Sequence, residues 1–484
     1  MLSVVGFALA LAGSLVASPP AALMDSASRA ASTAAAPLAN EAHSGPAPLT
    51  LDGALAEAAR QNLDLAFAKT DRARSSAEVL GSYRGYLPRL DVSATFGRNV
   101  VGSQRVVRAI PVVDMTTYSI TGYEEQPVWT PRSDYADYTL GLRLEERLFE
   151  GWRSWSQVRS AAAAEHAAAL HFDETALSVA FGVTRRFYDL VRAEQSLAVL
   201  EETVRQSAEL VTRAEALFAA GRLKAGETYA ARVNLGNDRI NVEVERARVA
   251  QARAELSLVL GRSAEQPLVV VPPAALDGAP PASYLAPPAQ DALLARAHDA
   301  RPARARELER ARVAELGVTM ARADYFPALG VSVGYTRESP DLAGGTGVYG
   351  SLARQYVLGG QLYVKWNLFD GLATTSASEV ALAEAERARL TTTQTEQTIA
   401  AEVVRARESL IAQAQAAIYA GENLASAETS VRLARERFDA GAATQLEVRD
   451  AQLKLTQARL ALVSTRSDCA VAFAELNRAV GGGL

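Results

Sequence analysis

The sequence contains two copies of one unit, offset by 220 residues, because Gly151 falls on Gly371. The stretch LFEG at 148–151 returns as LFDG at 368–371. Further identical pairs follow in the same register without a gap: Phe218 and Phe438, Gly221 and Gly441, Glu227 and Glu447, Leu235 and Leu455, Glu255 and Glu475, Leu256 and Leu476, and Gly261 and Gly481. Chance similarity does not hold register over such a distance, so the chain is predicted to be an internal duplication.

The copies also match upstream, at a different offset. Pro88 in YLPRL corresponds to Pro327 in YFPAL, an offset of 239 against 220, so the first copy carries 19 additional residues between these landmarks. They fall within 99–137, which is rich in Val, Tyr, Pro and charge and is predicted to be an exposed loop. The second copy has a shorter, Gly-rich loop over 337–358.

These landmarks divide the chain. The proline-rich stretch 262–290 is predicted to be a linker or equatorial segment between a first repeat, 49–261, and a second repeat, 291–484. The first residues, MLSVVGFALALAGSLVAS, predict a secretory signal peptide over 1–22, although no Lys or Arg precedes the apolar run. An apolar N-terminus of a cytosolic protein is the alternative. Residues 23–48 are rich in Ala, Pro and Ser and are predicted to be disordered.

Composition argues against several classes of function. A net charge of −5 disfavours a nucleic-acid-binding surface. Cys469 is the only cysteine, so there is no disulfide framework, and the four histidines are too dispersed for a metal motif. No catalytic constellation is present either. We therefore expect neither an enzyme nor a bound metal or cofactor.

Four segments alternate apolar residues with polar residues or glycine. Their apolar positions are Leu90, Val92, Ala94 and Phe96; Leu140, Leu142, Leu144 and Leu148; Leu329, Val331, Val333 and Tyr335; and Leu362, Val364, Trp366 and Leu368. At about ten residues each they have the pattern of membrane β-strands, although a half-buried soluble sheet shows the same alternation. Four strands cannot close a barrel, and an open sheet edge is unfavourable in lipid, so membrane strands would require several chains.

Long helices are predicted after each glycine landmark. Residues 152–218 contain no proline, and a helix of that length would extend roughly 100 Å. Apolar residues recur every seven positions, which predicts helices packed side by side as coiled coils. The series are Val183, Leu190, Leu197, Val204, Val211 and Phe218; Val403, Leu410, Ala417, Leu424, Val431 and Phe438; Leu235, Val242, Val249 and Leu256; and Leu455, Leu462, Cys469 and Leu476.

The duplicated unit, the Tyr-Leu-Pro and Tyr-Phe-Pro joints, the LFEG and LFDG joints and the Phe-Xaa-Ala-Gly turns together resemble the TolC-like outer membrane efflux proteins, or outer membrane factors. The resemblance covers about residues 50 to 481. It implies an α+β membrane protein, in which a homotrimer with four strands per chain forms a 12-stranded β-barrel in the outer membrane. A coiled-coil α-helical barrel would continue it through the periplasm.

The resemblance also implies a function and partners. The chain would be the outer membrane exit duct of a tripartite efflux or type I secretion system, working passively with a periplasmic adaptor and an inner-membrane pump. Small molecules or polypeptides would pass through it. The alternative is a periplasmic coiled-coil scaffold without channel activity, which has no use for four strands of membrane length.

Candidate site residues follow from the resemblance. The periplasmic tips, where an adaptor would dock, are Phe218, Gly221, Arg222, Lys224, Phe438 and Gly441. Rings of acids at the aperture would come from Glu447 and Asp450, which as helix-start acids would equally suit the helix dipole. The family's basic residue after the second tip has no match, because Ala442 and Ala443 stand there. Helix–strand junctions are expected at Pro88, Gly151, Pro327 and Gly371, with Glu150 and Asp370 as helix-start residues.

Overall fold

The structure is a computed structural model, and it describes residues 48–221, 223–276, 278–343, 347–350, 356–440 and 442–483. The predicted signal peptide and nearly all of the segment 23–48 lie outside the described residues. The chain divides into two compact units. The sheet unit comprises Val79–Arg159 and Glu315–Leu382, and the helical unit comprises Ser160–Ala314, Ala383–Leu484 and the described part of Pro19–Glu78.

The elements follow the predicted order. In chain order they are α1 (Leu51–Gln61), α2 (Leu63–Ser82), β1 (Arg89–Val101), β2 (Gln104–Val113), β3 (Ile120–Thr130), β4 (Ser133–Glu150), α3 (Arg153–Ala219), α4 (Ala225–Leu260), α5 (Ala282–Leu285), α6 (Gln290–Ala300), α7 (Pro302–Arg322), β5 (Ala328–Ser339), β6 (Tyr356–Lys365), α8 (Ala373–Asp439) and α9 (Gln445–Val480). Short 3₁₀ turns lie at Tyr83–Gly85, Ala274–Leu276 and Ala323–Tyr325.

The long helices are confirmed. Helices α3 and α8 each have 67 residues, and the returning helices α4 and α9 each have 36. Each helix of the second pair begins and ends 220 positions after its counterpart. Both returning helices end at a left-handed glycine, Gly261 and Gly481, whose N–H groups bond back to the last turn.

The predicted strands pair in one antiparallel sheet of order β1-β4-β5-β6. The prediction of a loop over 99–137 is wrong, because β1 continues to Val101, β4 already begins at Ser133, and β2 and β3 form a separate two-stranded ribbon between them. Pro111 and Pro127 suggested a loop, but a two-stranded ribbon has two free edges, where a proline needs no partner. The last strand is also shorter than predicted: Trp366 and Leu368 lie beyond its end.

The apolar residues that recur at every seventh position contribute to the cores of the helical unit. One core joins α1, α3, α4 and the stretch around Val270, and contains the fully buried Val183, Leu190 and Leu256. Another joins α6, α8 and α9 around Val403 and Leu410. Burial of each such side chain contributes about 1.5–3 kcal/mol, so packing rather than helix propensity fixes these faces.

The stretch between the copies is packed. Val269 accepts a hydrogen bond from the N–H of Leu49 at 2.8 Å, and the N–H of Val271 donates to Leu49 at 3.0 Å. Leu268 and Leu276 are buried in the same core as α1, α3 and α4. The proline-rich composition therefore indicated the absence of long helices here but not the absence of structure.

A buried arginine joins four helices of the helical unit. Arg301, which is 4% exposed, donates to Glu174 on α3 at 2.8 Å, to Glu402 on α8 at 3.1 Å and to the carbonyl of Ala479 on α9 at 3.0 Å. It lies directly before α7. Charged hydrogen bonds of this kind satisfy groups that would be costly to bury alone.

Candidate functional site

One face of the four-stranded sheet is mainly apolar, and its charged residues include Glu146 on β4 and Arg337 on β5. Directly paired residues of antiparallel strands share a face, and Leu142 pairs with Val92 on one side and Tyr335 on the other. Tyr335 in turn pairs with Leu358. Apart from Leu148, which lies in a bulge of β4, the apolar positions predicted within the four strands therefore lie on a single face. Most of them remain accessible in one chain: Val92 is 68% exposed and Leu362 is 67% exposed.

The opposite face of the sheet is polar. Asp91 pairs with Arg143 across the strands, and the Asp91 carboxylate also accepts from Arg89 at 2.9 Å. The hydroxyl of Tyr363 donates to Glu145 Oε1 at 3.0 Å. The sheet thus separates an exposed apolar surface from a surface that suits water.

Both outer strands of this sheet have a free edge. Among the described residues, the pairing register of β1 is with β4 and that of β6 is with β5. Free edges expose backbone donors and acceptors, which is costly in an apolar solvent. A sheet with an exposed apolar face and two free edges is therefore incomplete as a single chain.

The two glycine junctions share a backbone conformation that few residues adopt. Gly151 and Trp152 have φ of +58° and +71°, and Gly371 and Leu372 have φ of +67° and +70°. Glycine adopts this region without a steric penalty. The surroundings differ, because a Cβ on Gly151 would lie 2.3 Å from the carbonyl oxygen of Ala323, whereas nothing lies within 4 Å of one on Gly371.

The acids at these junctions have different roles. Asp370 accepts from the N–H of Thr374 at 2.8 Å and from its hydroxyl, and these bonds lower the pKa of Asp370. It is a helix-start residue, as predicted. The same prediction for Glu150 is wrong: Glu150 ends β4, and its side chain forms an ion pair with Arg147 at 2.9 Å. A bulge in the strand between Arg147 and Phe149 accompanies this difference.

Each proline junction lies between a helical segment and a strand. Pro88 and Pro327 each stand just before a strand, β1 or β5, and just after a 3₁₀ turn. The N–H of Tyr86 bonds to Tyr83 at 2.8 Å, and that of Phe326 bonds to Ala323 at 3.0 Å. Proline disfavours helix in the residue before it, so the strand begins immediately afterwards.

The first hairpin end is a tight turn between α3 and α4. Gly221 has φ of +70°, and its N–H bonds to the carbonyl of Phe218 at 2.9 Å. Phe218 is 48% exposed, and Lys224 stands at the N-cap of α4 without a side-chain capping bond. Arg222 lies outside the described residues.

The second hairpin end is fixed by a capping box. Thr444 caps α9, its hydroxyl accepts from the N–H of Glu447, and the Glu447 side chain accepts in return from the N–H of Thr444. Arg437 lies 3.7 Å from Glu447. Gly441 lies outside the described residues. Glu447 is therefore occupied as a helix cap, whereas Asp450 is exposed and pairs with Lys454 at 2.7 Å.

The two hairpin ends meet in the helical unit. Arg213 on α3 forms an ion pair with Asp439 and lies over the Phe438 ring at 5.0 Å from its centroid. A cleft of about 720 Å³ lies between the ends, lined among others by Leu217, Leu223 and Phe438. The walls of this cleft combine apolar and charged side chains.

A buried ion pair lies beside this cleft, whose lining includes Arg449 and Ser207. Arg449 on α9 donates to Asp238 on α4 at 2.8 and 2.9 Å and to Ser207 on α3 at 2.9 Å, and Ser207 donates to Asp238. The sequence analysis missed this cluster. The repeat contained a signal, because the positions equivalent to Ser207, Asp238 and Arg449 are Ala427, Ala458 and Tyr229. A polar residue whose equivalent in the other copy is a different kind of residue indicates a contact that only one of the two copies makes.

Other site classes find no support in the described part of the chain. It contains no group of three or more His, Cys, Asp or Glu side chains suited to a metal ion. Among the same residues, no helix is both long and apolar enough to cross a membrane. Cys469 is buried in the α8–α9 core, and burial raises the pKa of its thiol to about 11.

The sheet with an exposed apolar face and two free edges, joined in one chain to helices of 67 residues, agrees with the strands and long helices that the sequence resemblance implied. The model of the outer membrane efflux protein family matches residues 54–262 and 290–482, and the chain belongs to this family. The resemblance found in the sequence is thereby confirmed. The family is one of channels and not a class of enzymes.

Solved structures show the same fold. A membrane protein from Pseudomonas aeruginosa is 20% identical, with 89% of this chain and 93% of that chain covered and a TM-score of 0.73. The Campylobacter jejuni CmeC outer membrane channel is 19% identical, with 90% of this chain and 86% of that chain covered and a TM-score of 0.71. The open state of the Neisseria gonorrhoeae MtrE outer membrane channel is 18% identical, with 90% of this chain and 89% of that chain covered and a TM-score of 0.71. No curated protein sequence matches this chain.

Proposed function

We propose that the chain is the passive exit duct of a tripartite efflux or type I secretion system and works as a homotrimer. The observation that carries the proposal is the sheet with one apolar face and two free edges, β1 and β6. Three copies joined from β6 to β1 would close a 12-stranded barrel and satisfy every edge. The apolar face would contact lipid, and the polar face would line the pore.

The height of the apolar face supports its place in a membrane. Tyr356 lies on this face at one end of β6, and continued alternation would place Trp366, just beyond the strand and ten positions away, on the same face; the two bracket Leu358, Leu362 and Val364. Ten positions span about 33 Å along a strand, or about 25 Å across a membrane at the usual strand tilt. That is the height of the apolar band of an outer membrane barrel, and aromatic residues are typical of its two borders.

The helical unit would form the periplasmic tunnel. Helices of 67 residues are each roughly 100 Å long, far more than a compact core requires. Two hairpins per chain would give a trimer six similar wall elements. The scaffold alternative would use the same helices, but it would leave the apolar sheet face without a function.

The hairpin ends would be the contact with the partners. The exposed Phe218, Lys224 at the start of α4, and Phe438 beside the cleft offer apolar and basic groups to a periplasmic adaptor. The tip residues Arg222 and Gly441 belong to the same proposed surface. Energy would come from the inner-membrane pump, since the duct needs no catalytic group of its own. At the aperture, Asp450 would form the ring of acids, with Glu447 restricted by its capping role.

The test is the assembly state together with channel activity. The protein is extracted from membranes in mild detergent, its mass is measured by native mass spectrometry, and it is added to planar lipid bilayers. We expect a trimer that gives discrete conductance steps. Recovery of a monomer from the soluble fraction, or a trimer without conductance, would refute the duct and favour the scaffold.

A further inference from the structure

The ribbon β2–β3 continues the hairpin β1–β4 in the same register. Val101 pairs with Ser133 at the end of β1–β4, and Gln104 pairs with Thr130 at the start of the ribbon. Only the residues 102–103 and 131–132 interrupt the pairing, two on each strand. Because the interruption is equal on both strands, each side of the sheet continues into the corresponding side of the ribbon.

The apolar face changes sides at this interruption. Successive residues alternate between faces, so Arg105 and Trp129 lie on the same side as Asp91 and Arg143, the polar side of the sheet. In the ribbon this side is almost wholly apolar: its members are Val107, Ala109, Pro111, Val113, Ile120, Tyr123, Pro127 and Trp129, with Arg105 and Glu125 as the charged exceptions. The opposite side is mixed: Arg108, Glu124 and Gln126 lie there together with Val106, Ile110, Val112 and Val128.

The apolar side of the ribbon is uncovered in one chain. Tyr123 is 71% exposed and Trp129 is 67% exposed. An isolated two-stranded hairpin is only marginally stable in water and gains stability when an apolar face is packed. The side chains of this face therefore require a partner.

The geometry limits what that partner can be. Lipid lies against the other side of the sheet in the proposed barrel, so it does not reach this side. Pro111 and Pro127 each remove a backbone donor, one from each strand, which disfavours pairing of a further strand at the ribbon edges. Contact with a partner through the apolar side of the ribbon is the arrangement that remains.

A second copy of the chain fits these limits. A barrel of twelve strands has a radius of about 12 Å, from strands about 4.8 Å apart and tilted by about 40°. The ten residues of β2 span about 33 Å when extended. Ribbons from neighbouring copies, each with its apolar side toward the pore axis, are long enough to meet over the mouth.

We propose that the apolar side of the β2–β3 ribbon packs against the same ribbons of the neighbouring copies and narrows the extracellular mouth of the channel. The inference rests on the proposed trimeric duct. It gives the 19 additional residues of the first copy a role that the second copy does not share. Three ribbons per channel suffice, so the insertion is needed in only one copy.

Two matched triple variants test the narrowing. Val107→Thr, Tyr123→Thr and Trp129→Thr change the apolar side, while Val106→Thr, Val112→Thr and Val128→Thr change the opposite side of the same ribbon. Threonine keeps the strand propensity. We expect the first variant to raise single-channel conductance about twofold, because polar ribbons separate and the mouth widens. The second variant should conduct as the unmodified chain does.

Cross-linking tests the contact itself. Tyr123→Cys and Glu124→Cys place a thiol on the apolar side and on the opposite side, and the buried Cys469 does not compete. With a short bis-maleimide we expect covalently linked pairs of chains from Tyr123→Cys alone. Equal linking from both, or none from Tyr123→Cys in a conducting trimer, overturns the inference. Unchanged conductance of the first triple variant also overturns it. An unmodified chain that forms no trimeric channel refutes the proposed duct first, and the inference with it.

Discussion

The buried pair of Asp238 and Arg449 should be essential for holding the two hairpin ends together. Their side chains are only 7% and 10% exposed, and two charged hydrogen bonds join them. Asp238→Asn would keep the shape but remove the negative charge, leaving the Arg449 guanidinium buried without a counter-charge. Removing one member of a buried pair costs about 3–5 kcal/mol, and the remaining amide oxygen places this change near the lower limit.

The assay is hydrogen–deuterium exchange by mass spectrometry on the full-length protein in detergent. A loss of about 3 kcal/mol raises the population of locally opened states roughly 100-fold. We expect amides in the first turns of α9 and in the part of α4 around Asp238 to exchange faster by that factor. The exchange rates of amides in the α6–α8–α9 core around Leu410 should not change, because that core is formed by a different set of contacts.

Two controls make the result interpretable. Asp450→Asn removes an acid next to Arg449 in sequence, but its ion pair with Lys454 is exposed, so the expected effect is within about 0.5 kcal/mol. Asp238→Leu combined with Arg449→Met removes both charges, and an apolar pair of similar volume should recover most of the protection. The reasoning is refuted if Asp238→Asn and Asp450→Asn give the same exchange, or if the double change is worse than the single one.

Three further outcomes are expected. Leu362→Arg on the apolar sheet face should destabilise the protein by about 2–4 kcal/mol and reduce the trimer yield on native gels. Gln361→Arg on the polar face should assemble normally, and equal trimer yields from the two variants would contradict the assignment of faces. Gly151→Ala should lower the thermal unfolding temperature more than Gly371→Ala, because both are strained but only the first would meet the Ala323 carbonyl. Asp450→Asn should reduce cation block of the channel current in planar bilayers, and unchanged block would remove the proposed ring of acids.

The repeat and its periodicities predicted the main elements well. The absence of proline and the apolar residues at every seventh position predicted the bounds of helix α3 to within one residue at either end. The alternation of apolar residues predicted the four strands and the face they share, because period two follows directly from strand geometry. These signals are local and regular, so a single sequence contains them.

Predictions failed where a contact depends on residues far apart. Glu150 differs from Asp370 in having Arg147 three positions before it, where the second copy has Asn367, but the bulge in β4 that accompanies this ion pair appears only when the strands are paired. The ribbon was interpreted as a loop because its prolines and charges weaken the alternation, and the register with β1–β4 that supports it appears only when the strands are paired. The junction glycines were found, but the closeness of Ala323 to Gly151 was not.

The sequence by itself determined that this protein is built twice from strands and very long helices, and which side of each strand and helix is apolar. Backbone periodicity and residue type suffice for that, since they act within one element. Only the tertiary structure decided that Arg449 contacts Asp238 and that Arg213 contacts Asp439. It also decided that the ribbon continues the register of β1–β4, so that its apolar side lies on the same side as the polar face of the sheet. These depend on the register between strands and on the packing of helices distant in sequence, where duplication offers no rule.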